Sequence, residues 1–109
     1  MSTLEITARD TTTGPVLEIR GELDYTTATE LREVLTTLTL QPGQRLLVDL
    51  AGMQFCDSSG IAALIAARKH AHTAHSEVAL AAVPAHILRI VGLDQMFAVL
   101  PDSGTALRS

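Results

Sequence analysis

Apolar residues change their spacing along the chain, and each change marks an element. Leu4, Ile6 and Ala8 alternate with Glu5, Thr7 and Arg9, the period of a half-buried strand. Thr11-Thr12-Thr13-Gly14-Pro15 breaks that pattern, and Val16, Leu17 and Ile19 resume an extended one, which predicts a hairpin closed by Gly21-Glu22-Leu23-Asp24. From about Thr26 to Leu38 the spacing becomes helical, with Ala28, Leu31, Val34, Leu35 and Leu38 on one side and Asp24 or Thr26 as the cap. Gln41-Pro42-Gly43 ends this helix. Arg45 to Leu50 is then almost unbroken in its apolar character, as expected of a strand covered on both faces of a largely parallel sheet.

Asp57-Ser58-Ser59-Gly60 follows this strand directly and opens a second helix, on which Ile61, Leu64, Ile65 and Arg68 fall near one stripe. Val78 to Val83 predicts another strand, Pro84 a break, Ala85 to Val91 a short helix ended by Gly92, and Phe97 to Leu100 a last short strand. The tail from Pro101 to Ser109 adds one turn of helix or frays. Strands that alternate with helices in this way predict an α/β sandwich. Its sheet is mixed, mostly parallel and four- to five-stranded, packed against about four helices.

Length and composition narrow the picture. The 109 residues suit one domain, taken as 1–109. Hydrophobic residues make up 47% and aromatic ones only 3%, so aliphatic side chains must fill the interior. The net charge is −4 and there is no long run of Lys or Arg, which argues against direct nucleic-acid binding. Cys56 is the single cysteine and has no internal disulfide partner. Its place at a strand end suits an inert packing residue. The first residues lack both a basic start and an apolar stretch, so neither a signal peptide nor a membrane span is expected, and the cytoplasm is the expected compartment.

The candidate chemistry centres on the second helix. Asp57 is placed to be its N-cap, which puts the Ser58 and Ser59 hydroxyls at a helix N-terminus. Backbone N–H groups without intrahelical partners and the positive end of the macrodipole make that position hospitable to a phosphoryl group. Phosphorylation there changes the local charge by about −1.5 to −2. As the first helical residue Ser58 projects outward, whereas Ser59 lies one step further in, so Ser58 is the preferred acceptor and Ser59 the alternative. Gly60 removes a side chain beside the hydroxyls and gives a partner room to approach. A serine hydrolase is disfavoured because the Gly-x-Ser-x-Gly elbow is missing and His70, His72 and His75 lie about 18 Å or more along the helix from Ser58. His72 and His75 share a helical spacing, but no acidic or thiol ligand joins them closely, so no metal site is expected. No glycine-rich nucleotide motif is present, and no cofactor is expected.

Gly21-Glu22-Leu23-Asp24, the strand Leu47-Val48-Asp49-Leu50, the segment Phe55-Cys56-Asp57-Ser58-Ser59-Gly60-Ile61, and the Ile87 to Leu93 region followed by Phe97 together resemble, in order and spacing, the bacterial anti-sigma factor antagonists of the STAS domain family. The likeness runs from about residue 4 to residue 107. It implies a STAS-like sandwich and a non-enzymatic role in partner switching. The unphosphorylated form binds an anti-sigma factor and frees a sigma factor. The anti-sigma factor is also a serine kinase and phosphorylates the position corresponding to Ser58, and a PP2C-type phosphatase reverses the modification. The resemblance also puts Glu22 and Asp24 at the same end of the sheet as Asp57, Ser58, Ser59 and Gly60, where a carboxylate can receive a partner's Arg or Lys. A monomer or weak homodimer fits such a cycle. The alternative is a STAS scaffold or accessory module of a stress-sensing or transporter assembly.

Overall fold

The structure, a computed structural model, describes residues 3–89 and 93–101. Its elements are β1 (Leu4–Thr11), β2 (Gly14–Leu23), α1 (Ala28–Thr37), β3 (Arg45–Asp49), β4 (Met53–Cys56), α2 (Ser58–Thr73), β5 (Glu77–Ala81), α3 (Ala85–Leu88), α4 (Leu93–Met96) and β6 (Ala98–Leu100). β1 and β2 form the expected hairpin, antiparallel from Leu4 opposite Gly21 to Thr11 opposite Gly14. The Thr11 hydroxyl ties its turn by donating to the Gly14 carbonyl at 2.7 Å. Among the described residues all other pairings are parallel, in the order β1-β2-β3-β5-β6, with β4 beside the far end of β2.

β3 lies in the middle of this sheet and explains its own apolar run. Leu46 and Val48 join Leu17, Ile19 and Leu80 on the face covered by the helices, where Leu31, Leu35 and Leu64 meet them. Leu47 points the other way, to Val16, Ala79 and Ala81. Burying both faces therefore requires apolar residues at successive positions.

Four expectations are corrected. The serine motif does not follow β3 directly, because Ala51-Gly52 turns the chain into β4, which pairs with β2 through Glu22 opposite Phe55 and Leu23 opposite Cys56. That additional strand brings the sheet to six strands among the described residues, rather than four or five. On α2 the deeply buried line is Gly60, Ala63, Leu64, Ala67 and Ala71, while Ile61, Ile65 and Arg68 are half-buried beside it. Small residues let the helix axis approach its neighbours, so the closest face is not the most hydrophobic one. Gly21-Glu22-Leu23 does not close the hairpin but continues β2 as far as its pairing with β4.

The other boundaries shift by one to three residues, as helix fraying and strand-end pairing dictate. The short helix expected from Ala85 to Val91 spans Ala85–Leu88, and Val91 and Gly92 lie outside the described residues, as does the tail beyond Pro101. The turn of helix from Leu93 to Met96 was not foreseen from the pattern.

α2 ends in a Schellman-type closure. Ser76 N–H donates to the Ala71 carbonyl at 2.8 Å and His75 N–H to the His72 carbonyl at 3.0 Å, with His75 at φ 58°. His75 is therefore past the helix, and it does not share a helical face with His72. A β-carbon is disfavoured in this left-handed conformation by about 1–2 kcal/mol. His75→Gly is expected to raise stability by about 1 kcal/mol, seen as a higher midpoint in urea unfolding with an unchanged slope.

Candidate functional site

β2 and β4 run parallel and end side by side, so the segments that follow them emerge at one end of the sheet. Segment 24–27 leads into α1, and Asp57 leads into α2. A loop end at the carboxyl side of parallel strands is where α/β folds commonly place binding residues.

Asp57 holds the two segments together. Its backbone is extended (φ −98°, ψ −172°), and its carboxylate Oδ1 accepts from Gly60 N–H at 3.0 Å, the N-cap geometry expected from the sequence. The other oxygen, Oδ2, accepts from Tyr25 N–H at 3.2 Å, and Asp57 N–H donates to the Leu23 carbonyl at 3.2 Å. The residue thus bonds both to the α2 N-terminus and to the segment after β2.

Asp24 organises that segment. Its Oδ1 accepts from Thr26 N–H at 3.0 Å, the Thr26 hydroxyl at 2.8 Å, Thr27 N–H at 3.1 Å and the Thr27 hydroxyl at 3.1 Å. The Thr26 hydroxyl is the main cause of its lowered pKa, helped by the Thr27 hydroxyl and both backbone N–H groups against an opposing desolvation. The N-cap position itself is Thr27 rather than Asp24 or Thr26, and no side chain caps the helix there. Asp24 instead fixes the turn one step earlier, and its backbone carbonyl accepts from Ala28 N–H at 2.8 Å.

The serines divide as their positions require. Ser58 is the first residue of α2, is exposed, and makes no side-chain hydrogen bond with a described residue. It borders a shallow, mainly apolar hollow of about 300 Å³ with Cys56, Asp57 and Ile61. Ser59 is half-buried and lines a separate hollow of about 230 Å³ together with Tyr25, Ala28, Thr29, Arg32 and Ala62.

Gly60 is buried, contrary to the expectation that it opens a path for a partner. A β-carbon there would collide with the Leu23 carbonyl oxygen and lie 2.7 Å from Cys56 Sγ. The glycine is needed for the close approach of α2 to β2 and β4 and does not face outward. Glu22 is half-buried on β2, opposite Phe55 of β4.

Two exposed aromatics, on the segments that precede α1 and α2, were missed in the sequence. Tyr25 is 82% exposed and Phe55 49%. The available signal was their rarity, since the chain has one Tyr, two Phe and no Trp, and an aromatic inside Asp24-Tyr25-Thr26 has no strand or helix period to satisfy. Exposed aromatic residues are enriched at protein interfaces.

Cys56 is half-buried, and burial first, then the neighbouring Asp57 charge, raise its thiol pKa to about 11. It is the neutral thiol at physiological pH. His70 and His72 lie in the last turn of α2, at the opposite end from Ser58. Nε2 of the fourth histidine, His86, is 3.0 Å from the Gln54 carbonyl oxygen. No group of three His, Cys, Asp or Glu side chains able to hold a metal ion occurs among the described residues.

Two outcomes check this geometry. Gly60→Ala is expected to destabilise the fold by about 1–3 kcal/mol in urea unfolding, because backbone rather than a flexible side chain blocks the methyl group. Cys56 is expected to react slowly with iodoacetamide at pH 8 and faster as pH rises toward about 11. The raised pKa has a linked effect on stability: the contribution present below the thiol's ordinary value of 9.0 is lost as pH rises through about 11.

The family model described as "Mlab, STAS domain" matches residues 6–101. Among solved structures, an anti-sigma factor antagonist from Mycobacterium paratuberculosis aligns at TM-score 0.78 and 21% identity, over 97% of this chain and 95% of that one. The unphosphorylated anti-sigma factor antagonist SpoIIAA aligns at TM-score 0.72 and 16% identity, over 95% and 96%. A sulfate transporter family protein from Wolinella succinogenes aligns at TM-score 0.71 and 18% identity, over 85% and 80%. At such identities the structural likeness establishes a shared fold, and the family match adds membership: this chain belongs to the STAS domain family.

Proposed function

We propose that this chain is an anti-sigma factor antagonist, a binding protein without catalytic activity of its own, switched off by phosphorylation of Ser58. One observation carries the reading: an exposed serine hydroxyl, without a hydrogen bond among the described residues, stands at the first position of a 16-residue helix, next to Asp57, whose carboxylate accepts from Tyr25 N–H on the adjoining segment. The hydroxyl is open to a kinase. Its exposure favours Ser58 over half-buried Ser59 as the acceptor.

The partner is an anti-sigma factor with serine kinase activity, and a PP2C-type phosphatase resets the cycle. Tyr25, Glu22 and the rim of Asp24 and Asp57 form the contact surface around Ser58. The domain spans 1–109 and acts in the cytoplasm as a monomer or weak homodimer. No helix among the described residues is long and apolar enough to cross a membrane.

Magnitudes favour loss of the partner over loss of the fold. A dianion brought into a desolvated contact costs about 2–5 kcal/mol, or roughly thirty- to several-thousand-fold in affinity. Its effect on α2 through the macrodipole is about 0.3–2 kcal/mol and favourable. The fold therefore persists while the surface changes sign.

A second reading rests on the likeness to the sulfate transporter family protein: an accessory module of a transporter. One experiment separates the two. Tagged wild type and Ser58→Asp are used to capture partners, which are identified by mass spectrometry. The antagonist reading expects an anti-sigma kinase held by wild type and weakened at least thirtyfold by Ser58→Asp. Retention of a transporter subunit by both proteins contradicts it. With the purified kinase and ATP, one phosphate is expected on wild type and none on Ser58→Ala.

A further inference from the structure

The hollow between α1 and α2 gathers polar groups that the described part of the fold leaves unused. α1 follows β2 and α2 follows β4, and these strands are parallel neighbours, so the two helices begin side by side on one face of the sheet. Arg32 stands four residues after Ala28 and three after Thr29, which puts all three on one side of α1, while Ser59 and Ala62, three apart, share one side of α2. With Tyr25 they line the hollow of about 230 Å³. The alanines at 28 and 62 are too short to fill it.

Arg32 is the one charged residue in that lining, since Glu30 and Glu33, its neighbours on α1, do not take part in it. Arg9 and Arg20 are engaged by Glu5 and Glu18, whereas Arg32 makes no ion pair or hydrogen bond with a described residue. The hydroxyls of Thr29, Ser59 and Tyr25 make none either. A guanidinium offers five N–H donors and no acceptor, and each hydroxyl adds a donor. Such a set matches an ionised carboxylate, which only accepts and which a guanidinium binds through two parallel bonds. The volume is below the roughly 300–1,000 Å³ of small-molecule pockets and suits the end of one side chain.

We propose that this hollow receives the carboxylate of an Asp or Glu side chain on the anti-sigma kinase, held by Arg32 with the Ser59 and Thr29 hydroxyls and flanked by Tyr25. The proposal rests on the antagonist reading above and names a contact within it. The surface then carries two signs, negative at Asp24 and Asp57 and positive at Arg32, and a partner of complementary pattern docks in one orientation. A phosphoryl group on Ser58 adds about −1.5 to −2 of charge one residue from Ser59. It competes for Arg32 and repels the partner's carboxylate, which gives the switch a specific contact to break.

Binding of the purified kinase to wild type, Arg32→Glu and Arg32→Lys, with and without nucleotide, tests the contact, and urea unfolding confirms that each variant is folded. Arg, Glu and Lys are all good helix formers, so α1 is expected to persist. Arg32→Glu opposes like charges and is expected to weaken binding about tenfold or more, and Arg32→Lys, which keeps the charge, to weaken it less. Adding Ser58→Asp to Arg32→Glu is expected to cost less than it does in the native background, because the contact it opposes is already gone. A second measurement does not depend on affinity. In the complex of Arg32→Lys, a water-soluble carbodiimide is expected to join the new amine at residue 32 to a carboxylate of the kinase, located by peptide mapping. Equal binding of wild type and Arg32→Glu overturns the contact, as does a complex without a cross-link at residue 32, and either leaves the antagonist reading standing. A loss seen only with nucleotide bound assigns the hollow to a phosphate and likewise overturns it. Wild type that holds no anti-sigma kinase removes both the contact and the reading.

Discussion

The missing side chain at Gly60 sets the geometry of everything around it. It lets the first turn of α2 settle onto the Leu23 carbonyl and the Cys56 sulfur, so that the helix begins where β2 and β4 end. Residues two apart on a helix lie about 200° apart around its axis, so burying residue 60 turns residue 58 outward. The same close seating brings the Asp57 carboxylate within reach of Tyr25 N–H on the neighbouring segment. Core packing and surface display at this site are thus two consequences of one contact.

The hydrogen bonding divides the local carboxylates by role. Asp57 and Asp24 each accept several bonds from their own chain, which fixes the two segments that carry Ser58 and Tyr25. These carboxylates make the rim of the surface acidic and rigid before anything is added to it. A phosphoryl group on Ser58 would enter beside Asp57, at the positive end of the helix dipole but next to a like charge. The macrodipole favours the group and the carboxylate opposes it, and both effects act on the surface side of the helix, away from Ala63, Ala67 and Ala71.

What could be read from the sequence follows the strength of each periodic signal. The β1–β2 hairpin, α1, β3 and the start of α2 each span enough residues for strand or helix spacing to emerge, and Asp57 was recognisable as a cap. β4 was hidden because Met53-Gln54-Phe55-Cys56 is four residues long and pairs only with the last part of β2, so it has neither alternation nor a buried run. The buried line of α2 was displaced because hydrophobic stripes single out Ile and Leu, whereas the closest packing uses Gly60 and alanines. His75 kept a helical spacing in the sequence while standing in a left-handed closing turn. Tyr25 belongs to a segment fixed by local side-chain bonds to Asp24 and by a bond across to Asp57, and the latter spans 32 residues and leaves no local pattern.

The central claim is that charge added at residue 58 alters a surface and leaves the core as it is. Its most direct measurement is a comparison of amide NMR spectra, with hydrogen exchange, between unmodified protein and protein carrying phosphoserine at position 58. The account predicts shifts confined to the segments around Leu23 to Thr27 and Phe55 to Ile61, with protection in β3 and β5 unchanged. Shifts and lost protection spreading through β3 and β5 would contradict it.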